Sequence, residues 1–217
     1  MAGQLPLAFG DLRPPATEFL PGAWHLPRYA AGQAKALLAA IDLVNQHAPF
    51  RSMMTPGRRW MSVALTNCGA LGWVTDQRGY RYQATDPESG RPWPPLPDGL
   101  LALAQGAASV AGYPGFVPDA CLINRYLPGA KMALHQDRDE RSYDHPIVSV
   151  SLGLPATFLF GGLERTDRPE RILLEHGDVV VFGGPARLRF HGILPVADGE
   201  HPEVGRQRLN LTLRKAG

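Results

Sequence analysis

The rhythm of apolar and polar positions along the chain changes near residue 120. Before it, two stretches repeat every three or four residues. In AAGQAKALLAAIDLVNQHAP, Ala34, Leu37, Leu38, Ile41 and Val44 recur at the spacing of one helix face. Between them, Lys35, Ala36, Ala39 and Ala40 are strong helix formers, and Pro49 stops the segment. DGLLALAQGAASVAGY predicts a second helix that ends near Gly112 and Pro114. Between the two, WMSVALT reads as a strand. Residues 73–97 scatter Trp73, Tyr80, Tyr82 and Trp93 among Gly and Pro, which predicts exposed loops or a short hairpin. The first 30 residues are rich in Pro and Gly and predict irregular structure.

From Ala120 the period shortens to two. CLINRYLPG, KMALHQD, PIVSVSLGL, ATFLFGG, ERILLEHGD, VVVFGG, LRFHGI and RQRLNLTLRK follow in quick succession, separated by turn residues. Within IVSVSLGL, Val148, Val150, Leu152 and Leu154 share one face, and Ser149, Ser151 and Gly153 the other. About eight short strands without intervening helices predict a sandwich or jelly roll. Neither a repeat of fixed period nor a linker is visible. The expectation is therefore one mainly β domain over residues 1–217. A helical, loop-rich front part to about residue 118 would fold onto a β core from about 119 onward.

Composition narrows this picture only slightly. With 44 % apolar residues the chain can bury a sizeable core, and 24 Gly and 21 Pro suit a turn-rich β fold. The balance of 22 basic against 20 acidic residues is too even to imply nucleic acid by itself, so any such contact must come from a local patch. Cys68 and Cys121 show no CxxC spacing and read as free intracellular thiols. The start, MAGQLPLAFGDLRPP, is too short and broken for a signal segment, and no run approaches ~18–20 apolar residues. The expectation is a cytoplasmic monomer with no membrane association.

The candidate chemistry begins at KMALHQDRDERS. His135 and Asp137 stand two apart at the end of an apolar strand, where alternate residues point to one side. H-x-D alone is weak, and the chain carries a second copy, His176-Gly177-Asp178, whose central Gly reads as a turn. Downstream, LRFHGIL supplies His191. The last strand then puts Arg208, Asn210, Thr212 and Arg214 on one face, opposite Leu209, Leu211 and Leu213. Two Arg on a core sheet are costly unless anions meet them, and a planar guanidinium suits a carboxylate. Two His, one carboxylate and a cationic strand fit the facial triad of non-haem Fe(II) oxygenases, whose open positions leave room for a chelating dicarboxylate such as 2-oxoglutarate and for O2.

Taken together, TNCGALGW, PDACLINRYLPGAKMALHQDRDE, PIVSVSLGLPATFLFGG, LLEHGDVVVFGG and RLNLTLRKAG resemble the bacterial AlkB proteins, from about residue 35 to the C-terminus. These are Fe(II)/2-oxoglutarate-dependent dioxygenases that repair alkylated DNA. The resemblance implies a double-stranded β-helix (jelly roll) with flanking N-terminal helices and a nucleotide-recognition lid. It implies His135, Asp137 and His191 as iron ligands. Asn124, Tyr126, Arg208, Asn210 and Arg214 would contact 2-oxoglutarate. Trp73, Tyr80, Arg81 and Tyr82 would form the lid over the damaged base, with Asp139 and Arg165 as further substrate contacts. The cofactor would be Fe(II), with 2-oxoglutarate and O2 as co-substrates. The partner would be single- or double-stranded alkylated DNA, carrying lesions such as 1-methyladenine and 3-methylcytosine. Arg51, Arg58, Arg59, Lys131, Arg165 and Arg168 are candidates for phosphate contact. Leu65, Phe182 and Arg189 depart from the Met, Trp and aromatic residue of the pattern. Two alternatives stay open: a related dioxygenase acting on RNA, protein or a small molecule, and a non-catalytic metal-binding jelly roll.

Overall fold

The structure, a computed structural model, describes residues 14–217. In chain order the elements are β1 (Thr17–Leu20), β2 (Ala23–Leu26), α1 (Ala34–His47), β3 (Arg51–Met54), β4 (Trp60–Gly69), β5 (Gly72–Asp76), β6 (Gly79–Gln83) and α2 (Asp98–Val110). The second half follows as β7 (Ala120–Tyr126), β8 (Met132–His135), β9 (Ile147–Gly153), β10 (Ala156–Phe160), β11 (Glu170–Leu174), β12 (Val179–Phe182), β13 (His191–Ile193) and β14 (Arg208–Arg214). All eight strands expected after residue 120 form.

Antiparallel pairing builds an eight-stranded sheet in the order β1-β2-β12-β9-β14-β7-β4-β3 and a four-stranded sheet in the order β11-β10-β13-β8. The hairpin β5–β6 stands apart from both. The mainly β jelly-roll expectation holds. The front half differs from its expectation: β1 and β2, in the stretch expected to be irregular, pair with each other and with β12, while β3 and β4 complete the opposite edge. The large sheet thus draws four strands from before residue 118.

Both helices lie against one face of the large sheet. Ala34, Leu37, Ile41 and Val44 of α1, and Leu100, Leu103, Ala104, Ala107 and Ala108 of α2, share a core with Val148, Val150, Leu152, Leu209, Leu211 and Leu213. Each large aliphatic side chain buried there contributes about 1.5–3 kcal/mol relative to exposure. Alternation then forces Ser149, Ser151, Asn124, Arg208, Asn210, Thr212 and Arg214 onto the other face, toward the small sheet. There a second core of Tyr126, Ile147, Phe158, Phe160 and Phe182 closes the space between the sheets at one end. Trp93, expected in an exposed loop, is buried instead. It packs so closely on Gly72 that a Cβ there would lie 2.4 Å from the indole. Among the described residues no helix is long and apolar enough to cross a membrane.

The second H-x-D is a turn. Gly177 has φ +89°, and a side chain there would strike the backbone of Ala31. Asp178 accepts from His25 Nε2 (2.9 Å), from the Arg28 amide (2.8 Å) and from the Glu175 amide (3.0 Å), so it ties β2 to the entry of β12. Burial pushes its carboxyl up, but these donors outweigh burial and hold it below the usual carboxylate range. A carboxyl depressed by folding stabilises above its unfolded pKa, and that contribution fades as pH falls through the folded value. Asp178→Asn is expected to cost about 1–3 kcal/mol at pH 7. In denaturant melts, the gap to the parent protein should narrow below about pH 4.

Candidate active site

Strand register creates the site. In the pairing of β13 with β8, His191 stands directly opposite His135, with ring centroids 4.4 Å apart. The strand β8 ends at His135, and Asp137 follows in the segment just beyond it. Asp137 Oδ1 lies 3.6 Å from His135 Nε2, and Oδ2 lies 3.6 Å from His191 Nε2. One ligand atom from each residue falls within 4.8 Å of the others, the one such grouping of three among the described residues. Nitrogen and oxygen donors bind first-row metals at about 2.0–2.2 Å, so the three atoms are within reach of a single ion.

The protonation states suit a metal. His135 Nδ1 bonds the Ala133 carbonyl at 2.9 Å, and His191 Nδ1 bonds the Arg189 carbonyl at 3.0 Å. A carbonyl only accepts, so each Nδ1 carries the hydrogen and each Nε2 offers its lone pair to the cluster. The wall around His135 excludes enough water to lower its pKa to about 4, helped by the neighbouring His191, so the ring is neutral at physiological pH. Burial pushes the Asp137 carboxyl up. The Arg214 guanidinium, 2.6 Å away, overcomes this and holds it well below the usual range.

A cavity of about 810 Å³ opens from this cluster and is lined by Trp73, Tyr80, Asn124, Tyr126, Asp139, Arg165, Arg208 and Asn210 among others. The two Arg of β14 have different partners. Arg214 donates from Nη2 (2.6 Å) and Nε (3.1 Å) to Asp137 Oδ2 and lies 3.4 Å from Glu140. Arg208 is 1 % exposed and has no carboxylate partner among the described residues. Its Nη2 donates to Ser151 Oγ at 3.0 Å and its guanidinium lies over the Tyr126 ring, while Nε and Nη1 are buried without partners among the described residues. Asn124 Oδ1 is likewise unpartnered. A buried cation with two donors left over, beside two imidazoles and a carboxylate, fits an iron centre that works with a dicarboxylate.

The residues expected to form a lid divide. Trp73 donates from Nε1 to Asp139 Oδ2 at 2.8 Å and stacks on Tyr80 with centroids 5.6 Å apart and planes 17° from parallel. Arg165 rests on Phe190 at the cavity wall. Arg81 and Tyr82 lie outside the cavity lining. Arg81 pairs with Asp76 inside the hairpin, and the Tyr82 hydroxyl donates to Glu140 Oε1 at 2.9 Å. Among the expected phosphate contacts, Arg51 is held by Asp86 and Glu88 and is therefore not free. Of the departing positions, Phe182 lines the cavity edge-on to His191, whereas Leu65 is buried beside Val74 and Trp93.

Sequence reading missed Glu140 and Arg187. Glu140 sits in a run of charges that looks solvated and Arg187 in a Gly/Pro turn, yet their side chains are 1 % and 3 % exposed. Glu140 meets Arg187 at 3.0 Å as well as Arg214 and Tyr82, and Arg187 Nη1 donates to the Asp137 carbonyl at 2.7 Å. The network fixes the backbone that carries Asp137. No periodic signal marks it, because its members come from two strands, β6 and β14, and two separate loops.

The family model of the 2OG-Fe(II) oxygenase superfamily matches residues 22–214. The chain is 55 % identical over 208 residues to "Alpha-ketoglutarate-dependent dioxygenase AlkB" of Salmonella typhimurium, covering 96 % of each. It is 54 % identical over 209 residues to the protein of that name from Escherichia coli, covering 96 % of this chain and 97 % of the relative. Among solved structures, OsALKBH1 superposes with a TM-score of 0.80 at 28 % identity, covering 93 % of this chain and all of the other.

Proposed function

Because the chain belongs to the 2OG-Fe(II) oxygenase superfamily and, within it, to the AlkB dioxygenases, we propose that it oxidatively demethylates alkylated bases in DNA, such as 1-methyladenine and 3-methylcytosine. The chain is an Fe(II)- and 2-oxoglutarate-dependent dioxygenase. The observation that carries the substrate reading is the aromatic and acidic wall made by Trp73, Tyr80 and Asp139 on the same cavity as the His–Asp–His cluster. His135, Asp137 and His191 hold the iron. Arg208 receives the far carboxylate of 2-oxoglutarate, and Asn124, Tyr126, Asn210 and Arg214 shape the remainder of its site. With O2, the bound pair supplies the oxidant that hydroxylates the methyl group, yielding succinate and CO2, and the N-hydroxymethyl product releases formaldehyde and the unmodified base.

The chain's own task is positioning. A base stacked in a duplex cannot reach the cavity, so it must be extruded, and a methyl group that blocks pairing lowers that cost. Trp73 and the His135 ring bracket the extruded base. Asp139, oriented by the Trp73 indole N–H, favours the positive charge of N1-methyladenine or N3-methylcytosine. Arg81 and Tyr82 brace the hairpin through Asp76 and Glu140 and act on the base only through Trp73 and Tyr80.

The test is formaldehyde release from a single-stranded oligonucleotide carrying one 1-methyladenine. Release that requires both Fe(II) and 2-oxoglutarate is expected. Turnover of 2-oxoglutarate without formaldehyde from any methylated nucleic acid overturns the reading. Trp73→Ala is expected to lower kcat/KM on that oligonucleotide by about 10- to 100-fold, the scale of losing one aromatic–base stack, with anaerobic Fe(II) binding retained. Trp73→Phe should recover the stacking share. Equal loss of metal binding and repair would mark Trp73 as core.

A further inference from the structure

Trp60 has no part in the site as described so far. It is 67 % exposed, the most open large apolar side chain among the described residues. A protein surface rarely leaves an indole uncovered, because its large apolar body gains from burial. Trp60 also lies at the rim of the catalytic cavity, whose lining it shares with Trp73 and His135.

The surroundings of Trp60 are cationic and fixed. It opens β4 directly after a tight turn in which the Thr55 amide donates to the Arg59 carbonyl (2.9 Å) and the Arg58 amide donates to the Thr55 carbonyl (2.9 Å). The Thr55 hydroxyl accepts from the Arg59 amide at 3.3 Å. Arg58 takes φ +57°, a left-handed conformation in which Gly is the easier residue. The guanidinium groups of Arg58 and Arg59 have no hydrogen bond or ion pair among the described residues, and neither has the Lys131 ammonium. Lys131 is brought alongside because Ser62 Oγ donates to its carbonyl at 3.0 Å and accepts from its amide at 3.2 Å. One exposed indole thus stands with two free cations, Arg59 and Lys131, on the lining of the cavity that a target base must enter, and Arg58 lies in the same turn as Arg59.

An open aromatic face among unpaired cations is the chemistry that holds single-stranded nucleic acid. The ring stacks on a base of any identity, and the cations follow the phosphates. We propose that Trp60 is the stacking platform for an unpaired base next to the target nucleotide, with Arg58, Arg59 and Lys131 on the adjoining phosphates. The protein then grips at least two successive nucleotides, the target and the neighbour whose base stacks on Trp60. This rests on the demethylase reading above and adds a second nucleotide subsite to it.

Two substrates separate the two ideas: a methylated single-stranded decamer, and 1-methyladenine deoxynucleotide 5′-monophosphate, which has no neighbouring base. With the iron-loaded enzyme, Trp60→Ala should lose about ten-fold more kcat/KM on the decamer than on the mononucleotide. The loss should lie in KM, and Trp60→Phe should restore most of it. Fluorescence anisotropy with a labelled, unmethylated single strand should show Kd rising about ten-fold in Trp60→Ala and little change in Trp60→Phe. Equal losses on both substrates, or none on either, overturn the platform while the parent protein still releases formaldehyde. If the parent protein releases none from either substrate, the demethylase reading falls and the subsite with it.

Discussion

An Asp137→Ala variant is expected to lose anaerobic Fe(II) binding and to fall in turnover by about 10³-fold or more. The carboxylate is the sole anion among the three candidate ligands, and it faces both imidazoles at 3.6 Å. Metal catalysis contributes several kcal/mol, and each 1.4 kcal/mol is about a decade in rate. The fold should survive. Arg214 would lose its 2.6 Å contact, but Glu140 stays at 3.4 Å and the guanidinium still borders the cavity, where water can reach it. Asp137→Asn keeps the shape and removes the charge, so it should bind metal more weakly than the parent and better than the alanine variant. Metal titration followed by thermal melting distinguishes ligand loss from unfolding. Undiminished Fe(II) binding and demethylation in Asp137→Ala would remove Asp137 from the ligand set.

The catalytic sheet was legible in the sequence because its strands obey a period of two so strictly. Leu209, Leu211 and Leu213 alternate with Arg208, Asn210, Thr212 and Arg214, and β9 sets valines against serines. In an ordinary half-buried strand the polar set faces water. Here the apolar set lies under α1 and α2, and the polar set faces the space between the sheets, so all seven residues of β14 are buried. The expense of burying two Arg was what pointed inward. The meeting of His191 with His135 was not readable from spacing, because only the register of β13 on β8 brings them opposite, and family resemblance had to supply it.

The misses share a cause. β1, β2 and β3 are four residues each, too short to display a period; β1 and β3 pair with the strand that follows them, and β2 is fixed in the sheet by β12, far along the chain. Trp93 sits among prolines that suggest exposure, yet Gly72 leaves a slot that the indole fills. Glu140 lies in a run of charges where a buried acid looks like its solvated neighbours. For β2, Trp93 and Glu140, contact with distant parts of the chain overrides local composition.

Arg208→Ala should separate function from stability in opposite directions. Its guanidinium is 1 % exposed, and Nε and Nη1 are unpartnered. Burial lowers its pKa, with Tyr126 opposing. Holding an unpaired cation in such a place costs free energy in the empty protein. Alanine relieves that cost while opening a small void beside Tyr126. The ligand-free protein should therefore melt no lower than the parent by more than a degree or two. In the parent, a carboxylate that meets both free donors regains a charge-assisted, bidentate pair. Losing one partner of such a buried pair costs about 3–5 kcal/mol, so the KM for 2-oxoglutarate should rise by roughly 10²- to 10³-fold. The stabilisation that saturating 2-oxoglutarate confers in thermal melts should disappear with it. Arg208→Lys keeps the charge but not the planar fork, and should fall between the two. A lowered melting point with an unchanged KM would make Arg208 a packing residue. A raised KM with undiminished ligand-free stability would mean that the protein keeps a strained charge in its core for the co-substrate it has yet to bind.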